Sequence, residues 1–330
     1  MTTKNTQPIR HLTLVVPVYN EADGLRQHVD EILRQLEALP ASIRSDLLMV
    51  DDGSTDATTS IVQALCEQRD DISLLALNRN FGKEAAIMAG LDHSDADAVV
   101  VMDSDLQHPP ALLPKMVDLW LGGADVVEAV KVSRNTRSGL YRYFANAFYR
   151  IFDALTGLDL HNHSDYKLLD RKVIEAYRSL PERTRFFRGL VSWMHFPAAQ
   201  IPFEEPARAA GESKWGALRL LKLSWQSISS FTALPLQLVT LLGGVTFLVS
   251  LVLGAKALYD KLSGQALDGF TTVILLLLII GSVLMFSLGL LGSYVARIYD
   301  EIKARPHYLV DHRNSRLSAL EGRDKKPEER

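Results

Sequence analysis

A single cysteine, Cys66, stands among 330 residues, so no disulfide can close within the chain. That excludes a cross-linked secreted scaffold and suits a catalytic portion in a reducing compartment. Cys66 lies in a stretch with helical periodicity, where a small buried apolar role fits it. There is no basic excess either. The formal net charge is −3, without the global positive field of a nucleic-acid binder. The opening MTTKNTQPIRH holds no apolar core, so no cleavable signal peptide is expected. No Gly-x-x-x-x-Gly-Lys-Ser/Thr loop is present, which excludes a P-loop NTPase. No Gly-x-Gly-x-x-Gly follows the first apolar run, so a dinucleotide-binding domain lacks its fingerprint. Zinc would want spaced His or Cys ligands. His161 and His163 are a pair without such partners and read as loop histidines.

Long apolar runs, by contrast, are present, and both lie late in the chain. PLQLVTLLGGVTFLVSLVLGAKALY and FTTVILLLLIIGSVLMFSLGLLGSYV each contain an uncharged stretch of about 20 residues, the length a helix needs to cross a bilayer. They predict two membrane helices, 234–259 and 270–295, joined by a short link. Basic residues flank the pair: Arg208, Lys214, Arg219 and Lys222 before it, Arg297, Lys303, Arg305, Arg313 and Arg316 after it. Only Lys256 and Lys261 lie between. The positive-inside bias therefore puts both ends in the cytoplasm. Residues 211–233 include GALRLLKLSWQSISSF, where Leu218, Leu221, Trp225 and Ile228 recur at helical spacing. This reads as an amphipathic juxtamembrane helix, with an ordinary packing helix as the alternative. Residues 1–10 form a tail, 11–210 a soluble domain, and 296–330 a cytoplasmic C-terminal segment whose charged end is expected to be disordered.

Within 11–210, apolar strand patterns alternate with helical ones. LTLVVPVYN is a strand that stops at Pro17. DLLMVDDGSTD, ISLLALNRN, DAVVVMDSD and ADVVEAV are further strands. The alternation predicts an α/β fold with a mostly parallel sheet covered on both faces. Ligands bind such sheets outside the carboxyl ends of the strands. Four polar clusters fall at those ends: Tyr19–Asn20–Glu21, Asp51–Asp52, Arg79–Asn80 and Asp103–Ser104–Asp105. Any one alone reads equally well as a strand end with capping residues; together they predict one rim. Asp56 reads as an N-cap, and Glu84 as an acid favouring a helix N-terminus. Two carboxylates one residue apart, with Gln107 as a further oxygen donor, suit Mg²⁺ or Mn²⁺ better than zinc. Such an ion commonly completes its shell with substrate phosphates.

VVPVYNE, VDDGSTD, NRNFGKE, DSDLQHPP, SDYKLLDRKV, LPERTRFFRGLVSW, GESKW and YVARIYDEIKARPHYLV resemble, in this order, the polyprenyl-phosphate glycosyltransferases of glycosyltransferase family 2. The nearest likeness is to the bactoprenol glucosyltransferases, a subgroup related to the dolichol-phosphate mannose synthases. The likeness covers roughly residues 10 to 310. It implies a GT-A nucleotide-diphospho-sugar transferase fold with a C-terminal two-helix transmembrane hairpin. It also implies a multi-pass protein of the cytoplasmic (inner) membrane with its catalytic domain in the cytoplasm, assembled as a homotetramer. The implied reaction is metal-dependent, inverting transfer of a hexose to undecaprenyl or another polyprenyl phosphate, with UDP-glucose as the best-fitting donor. N-acetylhexosamine, aminoarabinose or mannose donors are the alternatives. The product would be a lipid-linked sugar donor for modifying cell-surface glycans such as lipopolysaccharide.

The same resemblance implies residue roles. Asp103, Asp105 and Gln107 match metal ligands, with Asp105 also catalytic. Pro17, Tyr19, Glu21, Asp52, Arg79, Lys83, Asp103 and Ser104 match the donor pocket, Asp52 reading the base. Asp165 occupies the acid position near the acceptor, in a segment where the family reads Gly-Asp-Phe-Arg and this chain reads Ser164-Asp165-Tyr166-Lys167. Arg134 is expected to be catalytic, and Arg183, Arg185 and Lys214 to hold the acceptor phosphate. A processive polysaccharide synthase would carry a Gln-x-x-Arg-Trp segment, absent here. A non-catalytic scaffold of the same fold would be marked by loss of the rim acids, and those acids are intact.

Overall fold

The computed structural model describes residues 9–132, 163–182, 185–204, 234–263 and 270–317. The expectations for Arg134, Arg183, Lys214 and the amphipathic helix lie outside them.

Strands β1 (Arg10–Val18), β2 (Ile43–Asp51), β3 (Ile72–Ala76), β4 (Ala98–Val101), β5 (Val126–Lys131), β6 (His163–Asp170) and β7 (Ala198–Phe203) form one sheet in the order β3-β2-β1-β4-β6-β5-β7. The first four run parallel, and β3, β4 and most of β1 and β2 are buried residue after residue, as strands covered on both faces must be. Helices α1 (Leu25–Glu37), α2 (Thr58–Gln68), α3 (Lys83–His93) and α4 (Leu113–Leu121) follow them. Helix α1 shows why it docks: Leu25, Val29, Ile32, Leu33 and Leu36 make one apolar stripe, and all are buried.

The sheet is mostly parallel, as the sequence predicts, with one strand reversed. Strand β6 is antiparallel to both β4 and β5. Val101 pairs with Lys167, so the register carried two residues further sets Asp103 beside Asp165. An acid at the start of β6 thereby reaches the carboxyl ends of the parallel strands. The first strand also differs from expectation, running through Pro17 to Val18. Val15 is the last β1 residue paired with β4, so the N–H that Pro17 lacks falls on a side where the ladder has ended. Helices α5 (Arg171–Ser179) and α6 (Phe187–Trp193) pack behind β6.

Residues 306–317 belong to the same compact unit as the sheet. They lie along the free edge of β3, with bridges Leu77–Val310 and Leu74–Arg316. The second unit contains α7 (Leu234–Leu262) and α8 (Phe270–Ile302), which pack against each other. Within α8, Ile279–Ile302 is long and apolar enough to cross a membrane, 24 residues at mean hydropathy 1.9. The apolar stretch of α7 among described residues is shorter, Leu241–Lys256. By length and composition, therefore, the described residues hold one span-length helix where the sequence predicts two. Many large side chains of both helices point outward, among them Leu248, Val252, Leu284, Met285 and Phe286.

Candidate active site

Loops after β1, β2, β3 and β4 enclose a cleft of about 290 Å³. Of the residues expected to bind a donor, Pro17, Tyr19, Glu21, Asp52, Lys83, Asp103 and Ser104 line it, as does Asp105. Arg79 does not; its guanidinium lies over the Phe81 ring at 4.8 Å. Gln107 does not line it either, and its backbone N–H donates to Asp105 Oδ1 at 3.1 Å.

The loops are stitched to one another. Asn20 adopts a left-handed backbone (φ 52°), and its Oδ1 accepts from Thr55 N–H at 2.8 Å. Helix α2 begins at Thr58 with Ala57 at the N-cap position, one residue after Asp56, yet Asp56 Oδ1 still accepts from the first helical amide, Thr58 N–H, at 2.9 Å. Its Oδ2 accepts from Ala22 N–H at 3.1 Å, tying the β2 loop to the β1 loop. Gly53 (φ +69°) lets the β2 loop meet the β3 loop, where an added Cβ would come within 2.4 Å of the Arg79 carbonyl carbon. Asp52 spends both carboxylate oxygens on the β3–α3 loop, accepting from Phe81 N–H at 2.7 Å and Gly82 N–H at 2.9 Å. Burial nevertheless raises its pKa above the ordinary carboxylate value, outweighing those two bonds.

The Lys83 ammonium sits 2.6 Å from Asp103 Oδ1 and 2.6 Å from Asp165 Oδ2. Burial alone would lower the Lys83 pKa; the two carboxylates outweigh it and raise it. Asp165 is also gripped by Arg188, with Nε 2.5 Å from Oδ1 and Nη2 3.0 Å from Oδ2. Burial pushes the Asp165 carboxyl up, but Arg188 and Lys83 hold it well below the usual carboxylate range. It is thus an anion at any working pH. On the other side of Asp103, its N–H donates to His108 Nδ1 at 3.1 Å. Burial depresses the His108 pKa, so its Nδ1 is free to accept. The ring stacks on Tyr166 at 5.2 Å between centroids. Between them Leu106 is left-handed (φ 55°), a turn that folds the Asp105–Gln107 segment back on itself. Glu21 accepts from the Ser104 hydroxyl. Its pKa is raised, first by burial and then by Asp105 and Asp103 nearby.

Beneath Asp165 lies a buried ion-pair group. His163, read from the sequence as a loop histidine, begins β6 and places Nδ1 3.1 Å from Glu128 Oε2. Lys167, fully buried, bonds to the other Glu128 oxygen. Burial would raise the Glu128 pKa, but these two partners hold it at about 2.

Arg185, expected at the acceptor phosphate, has a buried guanidinium spent on backbone carbonyls. Its guanidinium donates to the carbonyls of Tyr177 at 2.8 Å, Leu180 at 2.5 Å and Glu182 at 3.1 Å. Of the two arginines in Arg185-Phe186-Phe187-Arg188, the second reaches the site. Sequence reasoning gave no role to Arg188 or His108, although both stand inside motifs it quoted. What separates Arg188 from Arg185 is the helical phase of α6 against β6, for which the local pattern has no signal.

Residues 13–178 match the family described as Glycosyl transferase family 2. An uncharacterized glycosyltransferase of Synechocystis sp. is 37% identical, over 91% of this chain and 94% of its own. The bactoprenol glucosyl transferase of Shigella phage SfX is 34% identical, over 92% of this chain and 99% of its own. A prophage-derived bactoprenol glucosyl transferase of Shigella flexneri is 35% identical, over 91% and 97%. Among solved structures, glucosyl-3-phosphoglycerate synthase from Mycobacterium tuberculosis is 21% identical with a TM-score of 0.48, over 66% of this chain and 76% of that one. The sheet, its rim and the sequence likeness define a glycosyltransferase of the GT-A class. The chain belongs to glycosyltransferase family 2 and is similar over nearly its whole length to bactoprenol glucosyl transferases.

Proposed function

We propose that the protein transfers glucose from UDP-glucose to a polyprenyl phosphate at the cytoplasmic face of the membrane, inverting the anomeric centre. One observation carries this reading: Asp103, from the rim of the parallel strands, and Asp165, from the antiparallel strand, share the Lys83 ammonium at the end of the cleft. A donor lying in the cleft past Tyr19, Glu21 and Asp52 would end its diphosphate there. The bactoprenol glucosyl transferases, similar over nearly their whole length, support the lipid acceptor and the sugar.

A divalent ion fits this site. Asp103 and Asp105 both line the cleft and offer oxygen only, and Asp103 already faces a cation, the Lys83 ammonium. Asp103 and Asp105 would hold Mg²⁺ or Mn²⁺. When bound, the ion neutralises charge on the departing nucleoside diphosphate. The chain's own residues do the rest. Asp52, through Phe81 and Gly82, fixes the loop that leads into Lys83. His108 holds the Asp103 backbone in place. An acceptor phosphate oxygen attacks C1 while the C1–O bond to the diphosphate breaks on the opposite face. The acceptor is an anion at pH 7, so no proton need be removed. Asp165, ion-paired and ionised, therefore orients rather than acts as a strong base.

The span-length helix in α8 supports a membrane location, and we take α7 as its partner in a hairpin with both ends in the cytoplasm. Purified protein incubated with undecaprenyl phosphate and a panel of UDP- and GDP-sugars, with the lipid product identified by mass, tests the reading. A hexosyl phospholipid from UDP-glucose is expected. Product from another donor corrects the sugar, and no lipid product from any donor overturns the reaction.

A further inference from the structure

Lys83 and Glu84 are consecutive in the first turn of α3, and they reach in different directions. Lys83 bonds to Asp165. Glu84 Oε2 accepts from the N–H of Phe187, the first residue of α6, at 2.8 Å. The next residue of α6 is Arg188, which closes on Asp165 with two nitrogens and on the His163 carbonyl with a third at 3.2 Å. The contacts form a closed ring: α3 to Asp165 through Lys83, Asp165 to α6 through Arg188, and α6 back to α3 through Glu84.

We propose that Glu84 is a positioning residue for sugar transfer, holding the first amide of α6 so that Arg188 presents its fork to Asp165. The proposal rests on the reaction proposed above, in which Asp165 orients the acceptor. The rest of α6 is held by other means. The Phe187 ring is fully buried and meets Tyr177 edge-on at 5.8 Å, and the preceding turn is fastened by Arg185 to three carbonyls. Leu190 and Val191 bury the following turn, but none of these contacts holds the Phe187 amide itself. The Glu84 bond does, one residue from Arg188. A guanidinium fork meets a carboxylate with both nitrogens only over a narrow range of angles, so a small rotation at Phe187 converts a two-point grip into one. Burial, with Asp165 close by, pushes the Glu84 carboxyl up to about 7. An acid kept in so unfavourable a place, with a backbone amide as its hydrogen-bond partner, is consistent with a role its neighbours cannot fill.

Two variants separate positioning from bulk stability. Glu84→Ala removes the acceptor; Glu84→Gln keeps a carbonyl oxygen for the Phe187 amide. In Glu84→Ala, kcat for transfer is expected to fall by about tenfold or more, with KM for the nucleotide sugar and the affinity for nucleoside diphosphate unchanged. Glu84→Gln should restore kcat. The Arg188 Nε–H resonance in arginine-labelled protein, protected by its bond to Asp165, should vanish in Glu84→Ala and return in Glu84→Gln. An unchanged resonance in Glu84→Ala overturns the proposal. So does a loss of kcat accompanied by an equal loss of nucleotide affinity, which would mark general damage to the fold. A wild-type protein that transfers no sugar would sink the reaction instead, and the Arg188 resonance would still decide the role of Glu84.

Discussion

Arg188 and Asp165 form a two-point ion pair, Nε to Oδ1 at 2.5 Å and Nη2 to Oδ2 at 3.0 Å, at the point where β6 enters the site. Lysine in place of Arg188 would keep the charge and lose the fork. Arg188→Lys is therefore expected to lower transfer by about tenfold or more while leaving nucleotide affinity alone. Steady-state kinetics beside a nucleotide titration measure both. Wild-type kcat in this variant would mean that charge alone, without the fork, is enough.

Asp105 lines the cleft, and the nearby Glu21 pKa is raised in part by its charge. Asn at position 105 removes one negative charge from a site proposed to hold a divalent ion. Asp105→Asn should lose nearly all transfer with its unfolding midpoint close to that of wild type. The wild-type protein should lose activity in EDTA and regain it with Mg²⁺ or Mn²⁺. Full activity under excess chelator would remove the metal from the mechanism.

Asp52, matched by resemblance to the acid that reads the nucleotide base, lines the cleft, and its two oxygens hold the Phe81 and Gly82 amides. Asp52→Ala frees both donors in a buried loop, at about 2–3 kcal/mol for bonds to a charged group. Thermal unfolding should register that loss, together with weaker nucleotide binding because the loop leads into Lys83. Weaker binding at unchanged stability would return Asp52 to base reading alone.

The parallel half of the fold was legible because strands buried on both faces read as unbroken apolar runs that end in polar clusters. That is how Tyr19, Asp52, Asp103 and Asp105 were assigned to one rim. Strand β6 was harder. One of its faces carries His163, Asp165 and Lys167, charges that hide a strand unless their partners Glu128, Lys83 and Arg188 are known. Those partners come from β5, α3 and α6, and no local pattern connects them. Arg185 and Arg188 look alike in sequence; one is spent on three carbonyls and the other on Asp165. The pairing of 306–317 with β3 was likewise invisible, since it joins segments more than two hundred residues apart.

Glu84 also makes stability depend on pH in a way that isolates it. Burial and then Asp165 raise its folded pKa to about 7 from the ordinary glutamate value of 4.5. Between those values the folded state binds a proton that the unfolded state does not, so wild-type stability falls as pH rises through the window. The charged groups around Glu84 do not titrate there. Asp165 is held far below it; Lys83, Arg188 and the Tyr177 hydroxyl lie far above. Glu84→Gln removes the effect while other titrations cancel in the difference. The variant should gain on wild type between pH 4.5 and 7, by about 2 kcal/mol after allowance for partial solvent exposure. Denaturant unfolding of both proteins across that range measures it. A difference that stays flat would show that Glu84 titrates like an ordinary surface acid.

The C-terminal segment makes the sharpest structural prediction. The sequence alone places the soluble domain wholly upstream of the apolar helices, so removal of everything after them would leave it intact. Instead, residues 306–317 complete the sheet edge. Leu74 N–H donates to Arg316 O at 2.7 Å, Ala76 N–H to Ser315 Oγ at 3.0 Å, and Asn78 N–H to Leu309 O at 2.9 Å. Leu77 N–H points the other way, to Asp51 O at 2.8 Å. Tyr308 reaches further and donates its hydroxyl to Asp92 on α3 at 2.9 Å. The segment thus grips β3 and α3, the two elements that flank the loop held by Asp52. A chain ending at Arg305 keeps α7 and α8 but exposes an unpaired edge. Hydrogen exchange should then quicken at the amides of Leu74, Ala76 and Asn78 and stay slow at Leu77. Nucleotide affinity should fall as well, because the loop loses support at both ends. Equal protection at all four amides in the truncated chain would mean that the edge holds without the segment, and that the C-terminal residues only pass over it.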